Sequence, residues 1–524
     1  MDLGSYLLFM NALLNVVIQP SYIHPDEHFQ TLEVLSTIFL NTTKSNLPWE
    51  FTNEFAARSY VPLYIFYGPL YYISTVLLNI TDPFIILKFV RLQNIILYLI
   101  ALNYTIPKRD SRDVKYWLLT SYVTWCIQSH SFSNSIETIV LLLLLKQFND
   151  LVKSSKNGYK KSAYAGSLIA FGLFNRMTFP AFIMFPCLYM LLKYYTKYLK
   201  QLVLMLVVFS VTSTCFILLD TSIYDSDKNW VIAPLNNMFY NLDESNLAKH
   251  GLHPRYNHVL INLPLLLGPF IFPFIISMIL QFSFKSLNVY FLSVLSGLSI
   301  LSIFKHQELR FLIPLLPVIC ISVTRPFTES KFSPATFLRS NIFIWGWVAF
   351  NVFLGSIMGI YHQSGIVKVL QEFYKKKDRE NMGVHIWWKT YSPPTWMYGN
   401  LELTTSTTNF LINVDSKNDQ EHVDNVDFEI IDKHVVDLKG CDRKLLNRTI
   451  SKFLESTDSV LLIAPDAFEL DLYMLCMFEY HYEVDKIFQT LAHLDLDHLN
   501  DGYWKFSRSN IGIGIYNISY PKIL

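Results

Sequence analysis

From Lys200 to Asp220 the chain runs KQLVLMLVVFSVTSTCFILLD, with no charged residue between its two ends. A stretch of that length and apolarity matches the hydrocarbon core of a bilayer, which takes roughly 17–25 residues of helix. It is not alone. Apolar runs recur at Leu3–Ile18 and at 83–105, 115–128, 134–150, 162–176, 179–195, 199–220, 258–282, 288–304, 311–325 and 340–361. Charged residues make up only 16% of the chain, against about 25% in soluble proteins. These features predict a polytopic α-helical membrane protein with about 11 transmembrane helices. The first run has no basic leader and no small-residue cleavage site, so it reads as a retained anchor. A net charge of +1 argues against a polybasic nucleic-acid binder. No CxxC spacing occurs among the six cysteines; Cys126, Cys187, Cys215 and Cys320 lie in apolar runs and read as buried thiols, and Cys441 and Cys476 could pair in an oxidising compartment.

Loop charge sets the orientation, because basic loops stay cytosolic. PKRDSRDVK (107–115), KSSKNGYKK (153–161) and KYYTKYLK (193–200) all fall on one side of the assigned spans. The opposite, luminal side then receives loop 21–82, loop 221–257, the turn at NRMTF and the segment KHQELR (305–310). It also receives everything after 361 and the sequons at Asn41, Asn447 and Asn517. Against this assignment stand KKKDRE (375–380) on the luminal tail and a sequon, Asn103-Tyr-Thr, at a cytosolic edge. The proline- and tyrosine-rich stretch 60–80 suits helices lying in the interface. Residues 1–361 therefore read as the membrane module. From 362 the chain turns polar and acidic, and DSVLLIAPDAFELDLYML reads as a buried strand running into a helix. Residues 362–524 are expected to form a small luminal α/β domain.

The dense polar clusters sit at span ends on the luminal side, as an enzyme acting on a lipid-borne substrate would need. A transporter would place such residues mid-span. In His24-Pro25-Asp26-Glu27-His28, Pro25 opens a helix and the two carboxylates occupy its first turn, where the helix dipole favours them. Two adjacent carboxylates cannot aim at one atom, so one is expected to act as a general base and the other to hold a helix end or a cation. The segment Lys305-His306-Gln307-Glu308-Leu309-Arg310 reads either as an interfacial loop or as an anion site in which Arg310 grips phosphate. Glu308 would orient Arg310 or cap the next helix. In HGLHPRYNH (250–258), His253 and Arg255 are candidate sugar or phosphate contacts. A zinc site from His250, His253 and His258 lacks an acidic or thiolate ligand to complete it. Arg176, in the turn FNRMTFP, is a further binding candidate. These patterns call for no metal and no cofactor.

Together, HPDEHFQ after the first span, HGLHPRYNH before a middle one, HQELRFLIPLLP before a late one and HIWWKTYSPPTWMYGN at 385–400 carry a family resemblance. The chain resembles the dolichyl-phosphate-mannose-dependent α-mannosyltransferases of the glycosyltransferase C superfamily, as far as residue 400. Within it the chain is most similar to members that add the fourth, side-branch mannose of GPI anchors. The resemblance implies an endoplasmic-reticulum enzyme of GT-C type with a luminal active site. It implies inverting transfer of mannose from dolichyl-phosphate-mannose, in α1,2 linkage, to the third mannose of a GPI precursor. Asp26 would be the base, with Glu27 its support or substitute. Arg310, Lys305 and His306 would hold the phosphate. His24, His253 and Arg255 would contact donor or acceptor, and His24 and His28 set this motif apart in a way that bears on acceptor choice. The alternatives are a different mannose acceptor within the same family, a lipid transporter, or a non-catalytic membrane subunit.

Overall fold

A computed structural model describes residues 19–40, 42, 47–106, 111–154, 157–224, 230–243, 246, 251–283, 288–324, 340–376, 381–412, 420–424, 426–474, 476, 480–496 and 511–521. The expected anchor at Leu3–Ile18, Asn41 and His250 lie outside them. Four of the described helices are long and apolar enough to cross a membrane: Pro83–Thr105, Leu199–Ile223, His258–Gln281 and Asn341–Tyr361. Along Leu199–Ile223, Val203, Leu206, Val207, Val211 and Leu218 are all exposed. Such a surface is costly in water and suits lipid, where the helix satisfies its own backbone.

Other apolar runs form shorter or interrupted helices. The run at 115–128 is split into Ser111–Leu119 and a π-helical turn, Thr124–Gln128. Within His258–Gln281, the chain bends at Gly268, whose φ of 52° lies in the left-handed region that glycine tolerates. Runs 162–176 and 179–195 are helices Gly158–Asn175 and Phe179–Met190, the latter continuing into a π turn, Leu191–Tyr195. They are joined through Arg176–Thr178.

The chain divides into two compact units, and the division is not a single cut along the sequence. One unit comprises Met1–Val17, Pro48–Pro69 and Phe89–Gly355. It is helical, and its helices pack closely through small residues. A Cβ on Gly166 would come within 2.3 Å of the Met205 carbonyl oxygen, so Gly158–Asn175 and Leu199–Ile223 touch backbone to backbone there.

The other unit comprises Ile18–Leu47, Leu70–Lys88 and Ser356–Leu524. Its centre is a seven-stranded mixed sheet made of β1 (Val384–Trp387), β2 (Thr404–Ile412), β3 (Gln420–Asp424), β4 (His434–Asp437), β5 (Ser459–Pro465), β6 (Glu483–Thr490) and β7 (Ile513–Ser519). The order is β3-β2-β4-β1-β5-β7-β6, with β2, β4, β1 and β5 parallel to their neighbours in that group. The uninterrupted apolar run in β5 reflects burial on both faces, whereas the alternating EVDKIFQT of β6 forms an edge. Helix Arg443–Leu454, capped by the Asp442 side chain, lays Leu446, Ile450 and Phe453 on Ile386, Val436 and Leu462. Cys441 and Cys476 are free thiols buried in this apolar core, which corrects the expectation that they could pair.

Candidate active site

The polar residues read from the sequence fall into two clusters, one in each unit. The first is built on the helix after Pro25. It opens at Asp26–Glu27, is π-wound over His28–Leu32 and continues α-helical over Glu33–Phe39. The Glu27 and His28 amides bond to the carbonyls of His24 and Pro25, so the carboxylates do sit at the helix start. A π turn shifts the side chains that follow it off the regular helical face, and such turns concentrate at functional sites.

The two carboxylates differ in environment. Asp26 keeps 18% of its side chain exposed, beside His24, whose Nδ1 lies 3.3 Å from Oδ1. Glu27 is fully buried, with Oε2 3.8 Å from His28 Nε2. The Trp396 indole N–H donates to His28 Nδ1 at 3.3 Å, so the ring proton belongs on Nε2, toward Glu27. The Tyr22 ring meets His28 edge-on at 4.6 Å. Seven residues beyond Asp26 lies Glu33, which no motif in the sequence marks; it is buried and accepts hydrogen bonds from the Thr395 hydroxyl and, at 3.2 Å, from the Trp396 amide. Burial raises its pKa from 4.5 to about 7, against the pull of the Thr395 and Trp396 donors.

The second cluster joins loop 251–258 to loop 305–311. The His253 amide donates to the Lys305 carbonyl at 2.7 Å, and His306 Nδ1 bonds to the Gly251 carbonyl at 2.9 Å. Gln307, buried and likewise unmarked by any motif in the sequence, pins both loops. Its Oε1 accepts from the His258 amide at 2.7 Å, and its Nε2 donates to the carbonyls of Arg255, Ser302 and Phe304. Glu308 caps no helix with its side chain. It binds Arg310 through two bonds and His306 Nε2 at 2.8 Å. Both His306 nitrogens thus face acceptors, an arrangement suited to the imidazolium. Burial opposes the charge, but the Glu308 hydrogen bond and carboxylate raise the His306 pKa on balance.

Phe311 is the hub of this cluster. The guanidinium carbons of Arg176 and Arg310 lie 5.2 and 5.5 Å from its ring centre, and His306 meets it edge-on at 5.4 Å. Arg176 is further held by Ser133 Oγ at 2.8 Å and by Glu137, 3.6 Å away. Ser133 Oγ also lies 3.4 Å from a nitrogen of Arg58, itself paired with Glu50. Lys305 and Arg255 contribute backbone carbonyls to the loop junction, and their side chains are exposed. The cluster is a set of oriented cations around an aromatic ring, a chemistry that holds anions.

Comparison with known proteins gives these clusters a setting. The chain is 43% identical to GPI mannosyltransferase 4 of Saccharomyces cerevisiae, over 98% of both chains. It is 41% identical to the protein of that name from Candida glabrata, over 97% of both. Among solved structures, ArnT from Cupriavidus metallidurans bound to undecaprenyl phosphate shares its fold, with a TM-score of 0.55 at 10% identity over 98% of both chains. Residues 5–400, which include both clusters and the segment holding Trp396, match the Alg9-like mannosyltransferase family, and the chain belongs to it.

Proposed function

We propose that this protein transfers mannose from dolichyl-phosphate-mannose to the 2-hydroxyl of the third mannose of a GPI-anchor precursor, in the lumen of the endoplasmic reticulum. The observation that carries the reading is full-length similarity to enzymes named GPI mannosyltransferase 4. The reading includes a topology of about 11 spans, with both clusters and the domain 362–524 facing the lumen.

A β-linked donor and an α-linked product require inversion. Asp26 takes the proton from the acceptor hydroxyl as its oxygen bonds to the anomeric carbon of mannose. The bond from that carbon to the phosphate oxygen breaks, and its electron pair leaves with dolichyl phosphate. Phosphate is a stable anion, so no general acid is needed, unlike the two-carboxylate arrangement of glycosidases. What favours Asp26 over Glu27 as the base is access, because Asp26 is partly exposed and Glu27 is enclosed with His28. Glu27 then acts as support. Arg310, preset by Glu308, holds the leaving phosphate with His306 and Lys305. Arg176, His253 and Arg255 contact donor or acceptor, and His24 and His28 bear on acceptor choice.

Purified protein given dolichyl-phosphate-mannose and a trimannosyl GPI acceptor should yield a tetramannosyl product. Arg310→Ala should raise the donor KM about 10- to 100-fold, the value of a charge-assisted phosphate contact. No product from the wild-type protein, or an unchanged donor KM in the variant, would sink the corresponding part of the reading.

A further inference from the structure

The segment Tyr391-Ser392-Pro393-Pro394-Thr395-Trp396 follows strand β1 and does not join the sheet. Its two prolines have no amide hydrogen to give a strand ladder, and Pro394 has the extended backbone of a polyproline stretch, with φ −70° and ψ 108°. The segment runs extended to Pro394 and enters the 3₁₀ turn Thr395–Tyr398, forming a strap whose partners are specific.

Tyr391 packs against the rings of Tyr22, at 5.5 Å, and His24, at 6.5 Å. The Ser392 carbonyl accepts from the Tyr22 hydroxyl at 2.9 Å. Thr395 and the Trp396 amide donate to Glu33, and the Trp396 indole donates to His28. One strap therefore touches residues 22, 24, 28 and 33, which bracket Asp26 and Glu27 on both sides. At its other side, Ser392 Oγ donates to Oδ2 of Asp437 at 2.6 Å. Asp437 is the last residue of β4, an interior strand of the sheet, and its Oδ1 accepts the Lys439 amide at 3.1 Å. A run of bonds thus leads from the sheet, through the strap, to the carboxylate helix.

We propose that Glu33 and Asp437 are positioning residues that clamp the strap 391–396 between the sheet and the helix bearing Asp26. This rests on the mannosyl-transfer reading and assigns the C-terminal sheet a role in it: the sheet anchors the base. Both carboxylates are buried and act through the strap. A base at a helix start, followed directly by a π turn, needs outside support, because a displacement of about 1 Å at a reacting group can cost about 100-fold in rate.

Four full-length variants, Glu33→Gln, Thr395→Val, Asp437→Asn and the double variant of the first two, test the clamp. Glu33→Gln and Thr395→Val should each lower kcat about 10- to 100-fold and leave the donor KM within about twofold. The double variant should be no slower than Glu33→Gln alone, since both changes break one contact. Without any substrate, backbone amide exchange in peptides spanning 22–32 and 391–398 should quicken in Glu33→Gln and in Asp437→Asn. Wild-type kcat in Glu33→Gln and Thr395→Val, additive losses in the double variant, or unchanged exchange would overturn the clamp. Should Glu33→Gln fail to fold, Thr395→Val and Asp437→Asn, which leave Glu33 in place, decide by the same readouts. An inactive wild-type enzyme would refute the mannosyl-transfer reading, and the exchange measurements would still decide the clamp.

Discussion

The helix at Asp26 and the loop at Arg310 handle charge in opposite ways. On the helix, one carboxylate meets solvent and two, Glu27 and Glu33, are buried, with partners for Glu33 drawn from more than 360 residues away. In the loop the charges sit within a few residues of one another, with Glu308 joining His306 to Arg310 and a neutral residue, Gln307, supplying the rigidity. The general base proposed at Asp26 needs an accessible lone pair, and buried neighbours would fix its position. The anion clamp proposed at Arg310 needs cations already aimed, and a local carboxylate can aim them without removing them from solvent.

The largest effect expected from this contrast separates Asp26 from Glu27. Asp26→Asn should lower kcat by about 10²- to 10⁴-fold, the usual value of a general base. Glu27→Gln should cost less and should act partly through stability, because Glu27 is enclosed beside His28. Steady-state mannose transfer together with thermal unfolding of each variant reads both quantities. Equal losses of kcat with unchanged stability would erase the proposed difference between the two carboxylates.

Next in size is the pH dependence set by Glu33. Its pKa in the folded chain is raised from 4.5 to about 7. A raised pKa means that the folded state holds the proton more tightly than the unfolded one. Its contribution to stability is therefore complete below about pH 4.5 and declines as pH rises through 7. At ~1.4 kcal/mol per pH unit, the decline amounts to ~3 kcal/mol. Glu33→Gln should flatten the stability curve across that window, and a variant that keeps the wild-type slope would show that Glu33 titrates normally.

Gln307 offers a smaller test on the opposite side of the comparison. Replacing it with Leu keeps the bulk and leaves the His258 amide and three carbonyls without their partner. Stranding the buried His258 amide alone should cost about 1–3 kcal/mol. Denaturation midpoints in detergent measure the loss, and an undisturbed midpoint would mean that the loops hold together without Gln307.

Local chemistry was legible in the sequence, and long-range pairing was not. The helix start at Asp26–Glu27 is written in Pro25 and two acids, and strand β5 in its apolar run ahead of Asp466. Glu27 is buried beside His28, which Tyr22 and Trp396 hold in turn, and no spacing encodes that. Glu33 did leave a signal, as a lone acid in the apolar stretch TLEVLSTIFL, two helical turns past Asp26. Gln307 left none, since a neutral residue in KHQELR draws no attention beside four charged or titratable ones. Nor could adjacency in sequence reveal that β1 lies between β4 and β5. At 115–128 the apolar content continues through a break between Ser111–Leu119 and Thr124–Gln128, which composition alone does not mark.

The smallest effect belongs to His306, and it sharpens the comparison because its pH window follows that of Glu33. The Glu308 carboxylate and the Gly251 carbonyl hold both ring nitrogens, and the pKa is raised above the ordinary 6.5. The stabilisation from this ion pair is complete below 6.5 and is lost as pH rises through the higher folded value. Solvent reaches both partners, so the amount is modest. His306→Gln should remove only the part of the stability slope that lies above pH 6.5, and Glu33→Gln only the part below 7. If His306→Gln instead altered the lower window, the two clusters would be titrating as one. The contrast between a locally aimed anion clamp and a remotely braced base would then fail.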